Sequence, residues 1–368
     1  MKIKIIDILN VLYDFAPLSL QESYDNCGLI VGDEQLETGK VLLCIDVTEE
    51  VIQEAIKKEC GLVISHHPLI FKGIKQIVPR GHVERTAIMA IRNNIAIAAM
   101  HTNLDNCISG VNKRLADRLG LKHHQVLQSV EGALKKLVVF CPEAKANEVR
   151  NAIFEAGAGQ IGNYDSCSFN LSGTGTFKAG SDTNPFVGNI EQFHQELEIR
   201  IETILPSYLT HRVINAMLKA HPYEEVAYDL YPLDNAWNGA GAGMVGVLPQ
   251  PLSENDFLKV ASEVLQIPVL RHSPLRNKKI EKVAVCGGSG AFLLPMAKNA
   301  NADVFLTADI KYHDFFEADG ALLMVDAGHF ETEQFTKELI ADILREKIPN
   351  FAVLISEVNT NAVGYYFK

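Results

Sequence analysis

Short apolar runs recur along the chain, each closed by polar or chain-breaking residues. VLLCI (41–45), LVI (62–64) and IAIAAM (95–100) lie in the first third, and KVAVC (282–286), VFL (304–306) and ALLMV (321–325) in the last. Continuous apolar runs of this length, bounded by turn signals, predict strands buried on both faces. Between them the apolar positions fall at helical spacing. Helices are expected over residues 3–16, 49–58, 82–93, 111–119, 254–265, 291–299 and 331–347. Thr48 and Ser253 stand where N-caps belong, and Gly120 lies just beyond a helix end. Strands alternating with helices predict βαβ units around a parallel sheet, so the fold class is α/β.

The pattern changes near residue 132. Strand signals over 137–141, a helix over 144–157, β-rich segments over 166–171 and 173–177, alternation over 197–204, a helix over 209–220 and a strand over 223–233 follow one another. That order, β-α-β-β-α-β, is the ferredoxin-like split βαβ pattern. Residues 132–246 are therefore expected to form an inserted α+β domain, with the glycine-dense stretch 235–246 as its return linker. Residues 1–131 and 247–368 form a discontinuous α/β domain. Its two halves repeat one plan, in which each apolar run ends in a polar cluster, so pseudo-symmetric halves facing one cleft are expected. In open α/β sheets ligands sit at the carboxyl ends of the strands.

Those polar clusters carry the candidate chemistry. The run at 62–64 ends in Ser65, His66, His67 and Pro68. Proline cannot donate to a sheet ladder, so both imidazoles stand where a buried strand turns into a loop. The run at 95–100 ends in His101 and, four residues on, Asp105. His329 and Glu333 are also four apart, at the start of a helix, which places them on one face. The three imidazoles of His66, His67 and His329 and the carboxylates of Asp105 and Glu333 suffice to hold two divalent metals. Such a shell suits zinc, iron or manganese better than magnesium or calcium. His101 is expected behind the ligands. Asp309 and His313, four apart after the run at 304–306, are a candidate acid–base pair. Gly287, Gly288 and Ser289, between a strand and a helix, are a candidate anion-binding loop. His123 and His124 lack a neighbouring acid and read as solvated surface.

Composition narrows the partners. Asp and Glu outnumber Lys and Arg, 45 to 34, for a formal net charge of −11. This argues against a nucleic-acid surface, which depends on basic contacts to phosphate. No run approaches the ~20 apolar residues of a membrane span. Seven scattered cysteines without a C-x-x-C pair read as reduced thiols. The amino-terminal stretch reads as an amphipathic helix with Asp7 and Asp14 within its apolar run, and not as a signal peptide. A cytoplasmic location is expected.

Six separated motifs, ESYDNCGLIVGD, SHHPLIF, HTNLD, VCGGSG, TADIKYHD and DAGHFETE, resemble in sequence and order the GTP cyclohydrolase 1 type 2 family, the Nif-three-like dinuclear-metal proteins. The resemblance implies a toroidal homohexamer with a dinuclear metal site in each subunit. It carries the ligand roles to His66, His67, Asp105, His329 and Glu333. It also implies that the insert is similar to the PII/CutA-like fold, closed by HPYEEVAYDLYPL. Two positions depart from the family pattern: Tyr24 replaces the usual Trp, and Met244 stands where the return segment usually carries an Arg. By resemblance the activity is hydrolytic opening of the GTP ring. A two-metal phosphoesterase and a non-catalytic metal-binding or regulatory ring are the competing readings.

Overall fold

The strand Leu62–Ser65 is buried along its whole length. On one face Leu62 and Ile64 pack with Ile5, Ile8 and Leu12 of the helix Ile5–Phe15. On the other, Val63 packs with Val51, Ile52 and Ala55 of the helix Glu49–Lys57 and with Ala87 and Ala90 of the helix His82–Arg92. Alternating side chains thus bury both faces, which is why the run is unbroken. Each such Val, Leu or Ile contributes roughly 1.5–3 kcal/mol by leaving water. Two helix starts follow the capping rule: Thr48 accepts from the Val51 amide at 3.3 Å and Ser253 from the Asp256 amide at 3.1 Å.

This computed structural model describes residues 1–366. Chain contacts divide it into two units, Met1–Ser129 with Asn238–Lys368, and Val130–Trp237. The first holds two large sheets. One has the order Ala352–Ile355, Lys40–Cys44, Leu62–Ser65, Ala96–Ala99, Gly28–Val31. Its first four strands are parallel and the last is antiparallel. The other has the order Arg271–His272, Leu323–Asp326, Val304–Ala308, Lys279–Ser289, Trp237–Ser253, Lys122–Val130. Its second, third and fourth strands are parallel, flanked by antiparallel neighbours. Each sheet thus has a parallel centre whose strands run out into polar residues.

The second unit folds as strand Leu134–Pro142, helix Ala146–Glu155, strands Phe169–Lys178 and Phe193–Pro206, helix Thr210–Ala220 and strand Tyr228–Leu233. The spatial order is fourth, first, third, second, all antiparallel, which is the split βαβ arrangement. Its core joins Leu137, Val139, Ile201 and Leu205 of the strands to Val149, Ile153, Val213 and Met217 of the helices.

The glycine-dense stretch is not a linker. It is the long strand Trp237–Ser253, paired with Lys279–Ser289. Its glycines allow close approach: a Cβ at Gly241 would lie 2.1 Å from the Gln128 carbonyl oxygen. The strand Lys122–Val130, unanticipated in the sequence, is its other neighbour. The chain therefore leaves for the insert and returns on adjacent strands of one sheet, and the site residues on either side remain in one unit. Among the described residues no helix is long and apolar enough to cross a membrane. All seven cysteines are free.

Candidate metal centre

His66 and His67 continue the ladder past the end of their strand, their amides bonding to the carbonyls of Cys44 at 3.2 Å and Ile45 at 3.0 Å. The backbone then turns into Pro68, and the two rings share one space, with centroids 4.9 Å apart. His66 is wholly buried and its Nδ1 is 2.8 Å from the Met100 carbonyl. A carbonyl only accepts, so Nδ1 carries the proton and Nε2 presents a lone pair. That Nε2 has no hydrogen-bond partner; Asp105 Oδ1 lies 3.7 Å away and Glu333 Oε1 3.5 Å.

His67 and His329 are fixed from behind in the same way. His67 Nδ1 is 2.7 Å from Asp46 Oδ1, and His329 Nδ1 is 2.7 Å from Asp309 Oδ2. Their Nε2 atoms face each other at 3.2 Å, and Glu333 Oε2 lies 3.0 Å from one and 3.2 Å from the other. Without a cation, burial lowers the proton affinity of His67, but Asp46 and Glu333 outweigh it and push it up to about 10. Burial likewise acts on His329, and Glu333 and Asp309 push it up to about 9. Burial would raise the Glu333 carboxyl, yet the imidazoles of His66, His329 and His67 hold it well below the usual range. Burial pushes the Asp105 carboxyl up.

The Glu333 position depends on a glycine. Gly288 has φ +58°, and a Cβ there would lie 2.2 Å from Glu333 Oε1. The anion-loop expectation for Gly287, Gly288 and Ser289 does not match this geometry. The Gly287 amide is bonded to Asn112 Oδ1 at 2.9 Å and the Gly288 amide to Thr332 Oγ1 at 3.0 Å, while Ser289 pairs with Ala308 in the sheet. The loop is small so that Glu333 can enter.

Asp309 stands behind His329, and His313 is exposed, stacked edge-on against Tyr312 at 5.2 Å. His101, expected behind the ligands, stands beside them: its ring is 5.3 Å from those of both His66 and His67. Behind His101 is Asp25, whose side chain is fully buried. Asp25 accepts from His101 Nδ1 at 2.8 Å, the Thr102 amide at 3.0 Å, the Thr102 hydroxyl, and Cys27 Sγ at 3.1 Å. Burial would raise its carboxyl, but these donors hold it well below the usual range. Sequence reasoning passed over Asp25 and Asp46 as partners. Their signal was an acid in a polar stretch beside each apolar run, without the spacing that marks a pair.

Among the described residues three groups have ligating atoms within 4.8 Å of one another: His66 with His67 and His101, His67 with His329 and Glu333, and His66 with Asp105 and Glu333. The orphaned atoms His66 Nε2, Asp105 Oδ1 and Glu333 Oε2 are buried. Lone pairs converging in a buried space with carboxylates behind the rings fit a divalent cation.

Fold and cluster together define an α/β protein with a His–carboxylate site able to hold metal at the carboxyl ends of its parallel strands. The chain belongs to the Duf34/NIF3 (NGG1p interacting factor 3) family, whose model matches residues 3–362. It is 39% identical over 360 residues, 96% of each chain, to a Halalkalibacterium halodurans protein named GTP cyclohydrolase 1 type 2 homolog. A Bacillus subtilis protein of the same name is 36% identical over 360 residues, again 96% of each. Among solved structures, a Bacillus cereus protein related to NIF3 superposes with TM-score 0.87 at 37% identity, covering 99% of both chains. A Staphylococcus aureus protein gives 0.78 at 30% identity with the same coverage.

Proposed function

We propose that the protein is a metal-dependent hydrolase acting on a nucleotide, with two divalent cations held by His66, His67, Asp105, His329 and Glu333, and His101 as a further donor. The observation that carries this reading is the opposed pair of imidazole Nε2 atoms, 3.2 Å apart with the Glu333 carboxylate against both. Protons on the two rings, donated to Glu333, satisfy this arrangement in the metal-free protein; once those protons leave, both Nε2 lone pairs and the carboxylate converge on one space that suits a divalent cation. The two oxygens of Glu333 point to different histidines, as a bridging carboxylate would. Bound cations of this kind supply Lewis acidity and activate water. The protein's part is to fix the donors: Asp46, Asp309 and Asp25 lock the tautomers of His67, His329 and His101 and leave each Nε2 free to bind.

The nucleotide assignment draws on the named relatives and on the rim of the site. Tyr24 and Phe71 are exposed and adjacent, with centroids 6.2 Å apart, and Phe71 lies 6.2 Å from His101. They offer a stacking surface for a planar base beside the donors. Lys72, Lys75 and Arg80 are exposed on the loop that leaves His67, in a chain that is acidic as a whole. They suit a polyphosphate. Tyr24 takes the place of the family's usual Trp and keeps an aromatic face. The homohexameric ring, the PII/CutA-like character of the insert and the cytoplasmic location are part of this reading.

The test is to purify the protein with its native metal and incubate it with GTP and with a panel of phosphoesters. Ring-opened product, lost in His67→Ala, supports the assignment. Turnover of phosphoesters alone replaces it with a phosphoesterase. No turnover by metal-loaded protein on either class sinks the enzyme reading in favour of a binding or regulatory ring, whose size sedimentation would measure.

A further inference from the structure

The second unit contains a cavity of 660 Å³, within the range of small-molecule sites. Its lining includes the aromatic rings of Phe177, Phe186 and Tyr223 and the carboxylates of Glu198, Glu224 and Glu225. The rings of Phe177 and Phe186 each stand 6.3 Å from the Tyr223 ring, tilted by 59° and 54°. Both phenylalanine rings are thus inclined to that of Tyr223, and all three line the cavity. The Tyr223 hydroxyl donates to Glu198 Oε1 at 2.8 Å. A phenol that donates to a carboxylate has more negative charge on its ring face, which strengthens its attraction for a cation.

The position of Glu198 is built into the neighbouring strand. A Cβ at position 175 would lie 2.2 Å from Glu198 Oε2, so Gly175 is what lets this carboxylate lie against the strand. Glu224 and Glu225 add negative charge to the lining. Arg200 also lines the cavity; its Nη2 is bonded to Glu202 at 2.9 Å, while its buried Nε has no partner. Among the described lining residues, Lys178 is the remaining cation, set against three carboxylates. The balance is negative, and the apolar surface is aromatic.

We propose that this cavity binds a small organic cation of the alkylammonium class, held over the faces of Phe177, Phe186 and Tyr223 and neutralised by Glu198. An ammonium group gains from the ring quadrupoles, and its alkyl groups gain from burial against them. A nucleotide would bring phosphate against Glu198, Glu224 and Glu225, where like charge opposes it.

The experiment is calorimetric titration of the full-length protein with choline, with its uncharged tert-butyl isostere dimethylbutanol, and with adenosine monophosphate. Saturable choline binding is expected, with the isostere weaker by about tenfold or more and no binding of the monophosphate at this site. Glu198→Gln keeps the side-chain shape and removes the charge; choline should bind about tenfold more weakly. Phe186 is 53% exposed, so Phe186→Ala leaves the core intact and should weaken binding about three- to tenfold. Circular dichroism establishes that both variants are folded. Absence of saturable choline binding, equal affinity for the isostere, or choline affinity unchanged in the folded variants overturns the proposal. So does monophosphate binding that depends on the same residues.

Discussion

Histidines in the two units of this protein sit in opposite chemical situations. In the metal centre, His67 and His329 each have one ring nitrogen bonded to an aspartate and the other aimed at a neighbour that is also a lone-pair donor. Carboxylates surround them, and their proton affinity rises. In the insert, His221 donates from Nε2 to the Phe140 carbonyl at 2.9 Å and accepts at Nδ1 from the Tyr223 amide at 3.1 Å. Both nitrogens are satisfied, and burial lowers its proton affinity. The difference separates a structural histidine from a functional one better than burial does, since His66 and His221 are both buried. What marks the metal centre is the nitrogen that has an orienting partner on one side and no hydrogen donor on the other.

The comparison breaks most sharply at Glu333, which touches three of the four clustered imidazoles. Glu333→Gln should abolish tight metal binding, measured as metal per chain after gel filtration. Metal content equal to the parent's would remove this carboxylate from the centre. A step smaller are Asp46→Asn and Asp309→Asn, which leave the ligands in place but weaken control of their tautomers. Each is expected to cost about 10–100-fold in metal affinity, read by competition with a chelator. Affinity unchanged in both variants would mean that the orienting bonds do not matter.

Next comes pH. Protons and metal compete for the same Nε2 atoms. In the metal-free protein His67 and His329, raised to about 10 and about 9, are protonated at neutral pH. Raised values stabilise the metal-free fold below the ordinary histidine value of about 6.5. That contribution is lost as pH climbs through 9 to 10. Metal affinity moves the other way, rising between about pH 6.5 and pH 9 with release of protons, which calorimetry in buffers of different ionisation heat detects. A flat affinity over that interval would contradict the raised values.

Much of this centre was legible in the sequence because its ligands lie at strand ends and at i, i+4 spacing. His66 and His67 follow an apolar run directly, and His329 and Glu333 share a helical turn. The parts that escaped are those set by the third dimension. Asp25 and His101 are 76 positions apart, and no local spacing joins them. His101 stands among the ligands because its strand is parallel to that of His66 and ends at the same level. The glycines misled twice for one reason. At Gly241 and Gly288 the missing Cβ serves close approach, to a neighbouring strand and to Glu333, where a local reading expects a linker or an anion loop. The insert's order of elements was legible because the strand Phe193–Pro206 alternates, Leu134–Pro142 carries a buried apolar run and the two helices keep helical spacing. The strand Lys122–Val130 was not, because its buried and exposed positions do not alternate cleanly.

The smallest effect expected is at His221, and it sharpens the comparison from the structural side. Protonation would place a hydrogen on Nδ1 and break its bond from the Tyr223 amide. Because the folded-state value is lowered, the contribution is present above about pH 6.5 and is lost as pH falls below it. One proton bounds the slope at about 1.4 kcal/mol per pH unit. Trp237, the only tryptophan, packs on Tyr208 at 5.9 Å within the same unit, so its fluorescence follows the stability of the insert under denaturant. The urea midpoint read from Trp237 should fall between about pH 6.5 and pH 5, and His221→Gln should flatten that fall at the cost of a lower midpoint at pH 7. The variant must flatten the slope as well as lower the midpoint. If it lowered the midpoint and left the slope as steep as in the parent, the acid sensitivity of the insert would belong to its carboxylates instead.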